Sequence, residues 1–437
     1  MYIKTVKFGG SSLADAAQFK KVAQIIRSDD TRRYVVASAP GKRNSGDTKV
    51  TDMLYKCYAE AAEGADFSAT FSAIKARFND IIVGLGMDLS LEDEFDVIET
   101  TLRESPNSDY AASRGEFLNS KIMAAYLGVP FVDAASCIFF SENGTLDAER
   151  TNAAVSEKLS GLTRAVIPGF YGCAADGTIK TFSRGGSDIT GSIVARAVGA
   201  DVYENWTDVS GVMIADPRIV KNAKAIDTIT YTELRELSYM GASVLHEDAI
   251  FPVKAAGIPI NIRNTNDPDA PGTMIVREAR ISRAGEITGI AGRAGFSTLR
   301  IEKDQMNSVV GFVAEILTIL ANYGIIIEHI PTGIDTMSVI ISSSALEGKR
   351  DALLAELHDN VHPDYMAIED DVALIAIVGR GMVRHKGTAA KIFTACAQAG
   401  VNILMIDQGS SEINIILGVD SQDCEKSISA IYNAFCG

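Results

Sequence analysis

The chain is poor in the residues that build metal centres and disulfide frameworks. Its 437 residues hold five histidines, none spaced to share a metal with another. The six cysteines (Cys57, Cys137, Cys173, Cys396, Cys424 and Cys436) are scattered, with no Cys-x-x-Cys pair. Stapled and zinc-organised folds are therefore not expected, and a reduced cytoplasm is the simplest setting. Long apolar runs are missing too. The most apolar stretch, residues 309–330, is broken by Glu315, Asn322, Tyr323, Gly324 and Glu328, which argues against a membrane span. No charged, apolar and small-residue succession of a secretory leader opens the sequence. Basic charge is scarce: 41 Lys and Arg against 56 Asp and Glu leave a net charge of −15. General nucleic-acid binding, which needs a basic surface to displace counterions, is excluded, but ATP held by a local cluster is not. At roughly 100 to 200 residues per domain, the length implies two to four domains.

What is present begins with Lys7-Phe8-Gly9-Gly10-Ser11-Ser12. The alternation of residues 2–6 predicts a half-buried strand. Beyond the glycines, Phe19, Val22, Ala23 and Ile26 form the stripe of an amphipathic helix over residues 13–27. A cation and two glycines at a strand-to-helix turn can cradle a phosphate, or can merely be a turn. Residues 33–38 predict a second, buried strand. Ser38, Thr51 and Asp52 follow its carboxyl end, where open α/β sheets bind ligands, although Thr51-Asp52 equally reads as a helix cap.

Residues 55–102 read as helical and acidic without a chemical motif. Ser113-Arg114-Gly115-Glu116 opens a predicted helix to about residue 127. That puts Glu116 in its first turn, where a carboxylate suits the helix dipole without any function. Residues 129–133 and 165–170 predict two further strands. Strands alternating with helices at this spacing imply a mostly parallel sheet sandwiched by helices. A second Gly-Gly helix entrance follows in Ser183-Arg184-Gly185-Gly186-Ser187-Asp188. Arg184 suits a carboxylate and Asp188 a magnesium ion or a lysine. Two such loops are harder to dismiss as turns than one. Polar residues of 207–218, including Thr207, Asp208, Asp216 and Arg218, can hold a nucleotide or end a strand. Residues 231–250 read as helical with a lone His246, and 258–262 as a strand. The loop 264–272 precedes a boundary near residues 277–286.

The C-terminal part is an internal duplication. Gly311, Ala314, Ile316, Thr318, Ala321, Gly324, Ile327, Ile330, Gly333 and Ile340 recur 76 residues later as Gly387, Ala390, Ile392, Thr394, Ala397, Gly400, Ile403, Ile406, Gly409 and Ile416. Each copy reads as part of a βαββαβ unit. The second copy has no room for a last strand, whereas two candidate strands, 287–291 and 298–301, precede the first. The units are expected to be nested, one borrowing a strand from before the other.

Taken together, residues 7–12, 114–116, 184–188, 206–209, 215–218, 241–246 and 408–414 resemble the aspartate kinases of the amino-acid kinase superfamily, with tandem regulatory ACT domains. The resemblance implies a catalytic domain over 1–280 and a regulatory region over 286–437. In the latter, the first ACT domain would cover about 298–370 and the second about 371–437 plus a strand from 286–302. It implies ATP-dependent phosphorylation of the L-aspartate side chain with Mg²⁺, in a homodimer or a dimer of dimers. Lys7 would contact the transferring phosphoryl group, Gly9, Gly10 and Ser11 the phosphates, and Asp188 would organise the lysine and metal region. Glu116 and Arg184 would bind the substrate ammonium and α-carboxylate, with Ser38, Thr51 and Ser187 lining the site. Thr207, Asp208, Asp216 and Arg218 would face the nucleotide.

Met306, Gly311, Phe312, Glu328 and Thr332 are the expected surroundings of an amino-acid effector, lysine or threonine. Lysine is favoured because no dehydrogenase is fused to the kinase. A carboxylate acceptor with a pKa of about 3.9 needs no general base, which suits a site without histidine. The sequence departs from the family at Ser243, where Lys is usual, at Glu247 for Pro and at Met213 for Tyr, with Lys254 a possible substitute cation. It departs again at Pro331-Thr332-Gly333-Ile334-Asp335, where Thr-Ser-Glu is frequent. The rival readings are a glutamate or acetylglutamate kinase, a non-catalytic amino-acid sensor, and a nicotinamide-dependent dehydrogenase. For the last, Gly379-Arg380-Gly381-Met382-Val383-Arg384 lacks the third glycine.

Overall fold

The computed structural model describes residues 2–183, 185–242, 245, 247–279 and 286–437. The chain packs as two units. One comprises Met1–Val212, Ala225–Tyr231 and Val244–Ala279, the other Met213–Lys224, Thr232–Ser243 and Arg280–Gly437.

The first unit runs β1 (Lys4–Phe8), α1 (Ala16–Arg27), β2 (Arg32–Ala37), α2 (Val50–Ala62), α3 (Ser68–Leu85), α4 (Glu92–Glu104), α5 (Ser108–Leu127), α6 (Ala148–Leu159) and β3 (Ala165–Pro168). It continues through the hairpin β4 (Tyr171–Cys173) and β5 (Ile179–Thr181), then α7 (Gly186–Ala197), β6 (Val202–Thr207), β7 (Thr228–Thr230), the first residue of α8 (Tyr231–Tyr239), α9 (Phe251–Ala256), β8 (Ile260–Asn264) and β9 (Thr273–Val276). Seven strands form one sheet in the order β3-β2-β1-β6-β8-β9-β7. All neighbours are parallel except β8 and β9. Strands of a parallel sheet are covered on both faces, and β2 and β6 are accordingly buried along almost their whole length. Phe8, Phe19, Leu54, Phe71, Phe78 and Phe95 belong to one apolar core that fixes the helices around this sheet.

Several sequence expectations are corrected by capping. Helix α1 starts at Ala16, because Asp15 accepts from the Gln18 N–H at 2.9 Å; residues 11–13 form a separate 3₁₀ turn. Helix α5 starts at Ser108, capped by Asn107, which accepts from the Tyr110 N–H at 2.8 Å. Glu116 therefore lies in the third turn of the helix, and the dipole explanation for it fails. The α2 cap position is Lys49, so Thr51-Asp52 is not a cap. Residues 129–133 supply only an isolated bridge from Phe131 to Val166. The helical region expected over 231–250 ends at Tyr239, before Gly241 with φ 96°.

The second unit contains the rest of α8, then β10 (Gly289–Glu302), α10 (Phe312–Asn322), β11 (Ile327–His329), β12 (Thr336–Ser342), α11 (Arg350–Val361) and β13 (Tyr365–Val378). It closes with α12 (Thr388–Gln398), β14 (Ile403–Asp407), β15 (Asn414–Asp420) and α13 (Cys424–Cys436). Its antiparallel sheet is ordered β11-β12-β10-β13-β15-β14. The two 14-residue strands β10 and β13 are each shared. Residues 296–302 of β10 pair with β12, whereas residues 372–378 of β13 pair with β15. The first βαββαβ unit is thus the second half of β10, α10, β11, β12, α11 and the first half of β13. The other is the second half of β13, α12, β14, β15, α13 and the first half of β10. The halves meet near Gly295 (φ 94°) and Asp371 (φ 62°), where the pairing shifts register. Each unit has its own apolar core, one around Phe312, Ile316 and Leu353, the other around Ile375, Ile392 and Ile431.

Candidate active site

The parallel register places Lys7 of β1 opposite Asn205 of β6. The Lys7 Nζ, nearly buried, lies 2.6 Å from Asp188 Oδ1 and donates to Asn205 Oδ1 at 3.4 Å. The Asn205 amide in turn donates to Asp188 Oδ1 at 2.8 Å, closing a triangle around one carboxylate oxygen. Asp188 occupies the first turn of α7, whose cap residue Gly185 has φ 58°, a left-handed backbone that a side chain would strain.

The glycines of the first loop act differently. Neither Gly9 nor Gly10 has positive φ. A Cβ on Gly10 would instead lie 3.0 Å from the Ala39 carbonyl and 3.2 Å from the Gly41 backbone. Gly10 is thus required by the close approach of the loop after β2. Ser11 is exposed, and Ser12 is buried with its hydroxyl 2.7 Å from that of Thr265. Arg77 of α3, nearly buried, ties these loops together. Its guanidinium donates to the carbonyls of Ala14 at 3.0 Å and Gly41 at 2.7 Å, and to Asp47 at 2.7 Å.

The other end of the site is built on α5. Glu116 is buried with the Ala39 N–H near its carboxyl, and its Oε2 has no hydrogen-bond partner. Burial pushes its carboxyl up to about 8, against the opposing pull of the Ala39 N–H, its own backbone N–H and the charge of Arg114. The Arg114 guanidinium, likewise buried, rests on the rings of Tyr110 and Phe117, 4.6 and 4.5 Å from their centroids. Ser38 is nearly buried after β2, its N–H bonded to the Phe8 carbonyl at 3.2 Å. Ser187 is nearly buried against Gly169, where a Cβ would meet its hydroxyl at 2.5 Å. Thr51 is half-buried in the first turn of α2. The structure therefore joins Lys7, Asp188 and Asn205 at one end, and Glu116 with the Ser38-Ala39 peptide at the other. The Ser38 N–H to Phe8 carbonyl bond ties the strands that carry them. Arg184, Ser243 and His246 lie outside the described residues.

The remaining expected residues are dispersed. Thr207 ends β6, its hydroxyl 3.3 Å from exposed Asp208. Asp216 and Arg218 belong to the second unit. There the Arg218 guanidinium donates to Asp216 at 2.5 Å and holds its carboxyl below the usual range. Lys254 is exposed on α9, 5.9 Å from the centre of the Tyr231 ring. Also in the second unit, Met306 and Phe312 are part of the first apolar core. Gly311 caps α10 at φ 88°. Glu328 accepts from the Tyr239 hydroxyl at 2.5 Å, and Thr332 is exposed. Asn205, Arg77 and Asn119 carry structure at the site without having been singled out from the sequence. The available signal was a polar residue on an otherwise apolar strand or helix face.

Residues 3–264 match the model of the amino acid kinase family, and residues 375–435 match an ACT-domain model. An amino-acid kinase fold followed by ACT units is therefore the class. Aspartokinase 3 of Bacillus subtilis is 38% identical over 99% of this chain and 98% of its own length. The crystal structure of Clostridium acetobutylicum aspartate kinase superposes with a TM-score of 0.91 at 51% identity, over 100% of both chains. Escherichia coli aspartokinase III, 25% identical over 100% of both chains, gives 0.73 in complex with aspartate and ADP and 0.75 with lysine and aspartate. The chain belongs to the aspartate kinase family and is an enzyme.

Proposed function

We propose that this enzyme transfers the terminal phosphoryl group of ATP to the side-chain carboxylate of L-aspartate, giving 4-phospho-L-aspartate, the first step toward lysine, threonine and methionine. The observation that carries this reading is the buried Glu116 with its unpartnered Oε2, at the far end of a site whose cation, Lys7, is fully engaged. A buried carboxylate without a donor is costly, and a substrate ammonium would relieve it. An acceptor bearing an ammonium, an α-carboxylate and a second carboxylate to be phosphorylated is an acidic amino acid. Escherichia coli aspartokinase III, which binds aspartate and ADP, supports the substrate pair.

On this reading Glu116 takes the ammonium, Arg184 the α-carboxylate, and Ser38, Thr51 and Ser187 line the substrate. Gly10 and Ser11 bring backbone N–H groups to the phosphates, whereas the Gly9 N–H is bonded to the Trp206 carbonyl at 3.1 Å and Gly9 serves the loop by its lack of a side chain. Lys7 meets the charge that develops on the transferring group, and Asp188 and Asn205 hold the lysine in place. Catalysis is then positioning and charge stabilisation without a base. Among the described residues no three His, Cys, Asp or Glu gather to hold a metal. A magnesium ion arriving on ATP needs only one or two protein carboxylates, and Asp188 is suited to that. The ion would neutralise phosphate charge. Thr207 and Asp208 are assigned to the nucleotide, and Asp216 and Arg218 keep the nucleotide role that the resemblance gives them.

We assign catalysis to residues 1–280 and regulation by an amino acid to residues 286–437, in a homodimer or dimer of dimers. Lysine is the first effector to try, because Escherichia coli aspartokinase III binds lysine. A coupled hydroxamate assay with ATP, Mg²⁺ and either aspartate or glutamate tests the reaction. Turnover with aspartate is expected, and turnover with glutamate alone, or with neither, refutes it. Lysine, threonine and methionine titrated into the same assay test the effector.

A further inference from the structure

Asn119 lies one turn after Glu116 on α5, fully buried. Its side-chain amide donates to the Ser38 carbonyl at 2.7 Å. The acceptor is a carbonyl, so this orientation of the amide is the only one that makes the bond. The next N–H along the chain, that of Ala39, lies near enough to the Glu116 carboxyl to favour its ionised form. The C=O of the Ser38-Ala39 peptide is thus bonded to α5 while its N–H faces the same helix, at residues three apart on one helical face. Among the described residues no other helix bonds to this peptide. Asn119 Oδ1, like Glu116 Oε2, is buried without a partner, so this face of α5 presents two unsatisfied acceptors beside the same loop.

We infer that Asn119 is a positioning residue of the substrate site, fixing the Ser38-Ala39 peptide so that Glu116 and Ser38 keep one geometry toward the substrate ammonium. The inference rests on the reading that Glu116 binds that ammonium. Without the amide, the buried Ser38 carbonyl loses its side-chain donor. The peptide can then rotate, and the Ala39 N–H no longer points at Glu116. Because that N–H favours the ionised carboxylate, its loss also moves the protonation of Glu116 to higher pH.

The test uses the full-length enzyme and three variants: Asn119→Leu, which keeps the volume, Asn119→Ala, in case the larger apolar side chain does not fold, and Glu116→Gln. Either Asn119 variant is expected to raise KM for aspartate about tenfold, with a smaller change in kcat. KM for ATP should stay within a factor of about two, and the acidic limb of kcat/KM should shift to higher pH. In the Glu116→Gln background, Asn119→Leu should add little, because both act through one contact. A residue with a merely structural role would add its full effect there and leave the pH limb alone. If Glu116→Gln raises KM for aspartate but the Asn119 variants do not, the positioning role is wrong while the ammonium site stands. If Glu116→Gln itself leaves KM unchanged, the ammonium site is wrong and the positioning role goes with it.

Discussion

Two buried ionisable groups of the kinase unit, Lys7 and Glu116, are provisioned in opposite ways. Lys7 has an ion-pair partner at 2.6 Å and an amide oxygen beside it, so its position is settled before any ligand arrives. Glu116 has an oxygen with no hydrogen-bond partner, and burial raises its carboxyl to about 8. The difference separates two tasks. A group that stabilises charge developing during reaction is best held rigid in advance, whereas a group that recognises a ligand can leave its strongest bond for that ligand.

The largest expected effect comes from the settled end. Lys7→Met should lower kcat by about a thousandfold or more, with far-ultraviolet circular dichroism unchanged. A loss under tenfold in steady-state turnover would mean that the lysine is merely structural. At the other end, Glu116→Gln should raise KM for aspartate by about 10- to 100-fold with a smaller change in kcat, as expected for a lost charged hydrogen bond. An equal fall in kcat would place Glu116 with Lys7 and erase the distinction.

Protonation sharpens the contrast further. Binding an ammonium requires the carboxylate, so kcat/KM for aspartate should rise with pH through a midpoint near 8 and level off only above it. Stability moves the opposite way. The folded protein binds this proton more tightly than the unfolded chain, whose glutamates titrate near 4.3. The ligand-free enzyme should therefore lose stability as pH rises from about 4.3 to about 8. Thermal unfolding of the wild type should show this fall, and Glu116→Gln should reduce it. A fall of equal size in the variant would assign it to other groups. The smallest effect belongs to the bond between Ser12 and Thr265. Thr265→Val should cost about 1 kcal/mol in denaturant unfolding and raise KM for ATP only a few-fold. A change in KM for aspartate instead would break the assignment of that loop to phosphate.

The parallel sheet and the duplicated C-terminal units were legible because apolar spacing and repetition record them directly. Loops were legible as motifs: Gly9-Gly10 and Gly185-Gly186 do sit at the strand and helix ends that carry Lys7 and Asp188. The physical reason for a glycine was not legible. Gly185 needs a left-handed backbone, whereas Gly10 needs room for residues 39–41, a contact between distant stretches. Helix starts were misplaced where a cap outweighed the apolar stripe, and at Asn107 that error hid the burial of Glu116. Asn205 and Arg77 were missed because their partners are remote in sequence, and a polar residue on an apolar face does not say what it will bond.

The shared strands β10 and β13 have a consequence for how the molecule is made. Residues 289–294 are synthesised before the entire first regulatory unit, yet their partners in the sheet, residues 373–378, come after it. During translation this half-strand must wait, with its backbone unpaired on that side, until a whole neighbouring unit has been made. The C-terminal unit is therefore not a contiguous piece of the gene, and a fragment cut at the start of its own repeat would begin life one strand short.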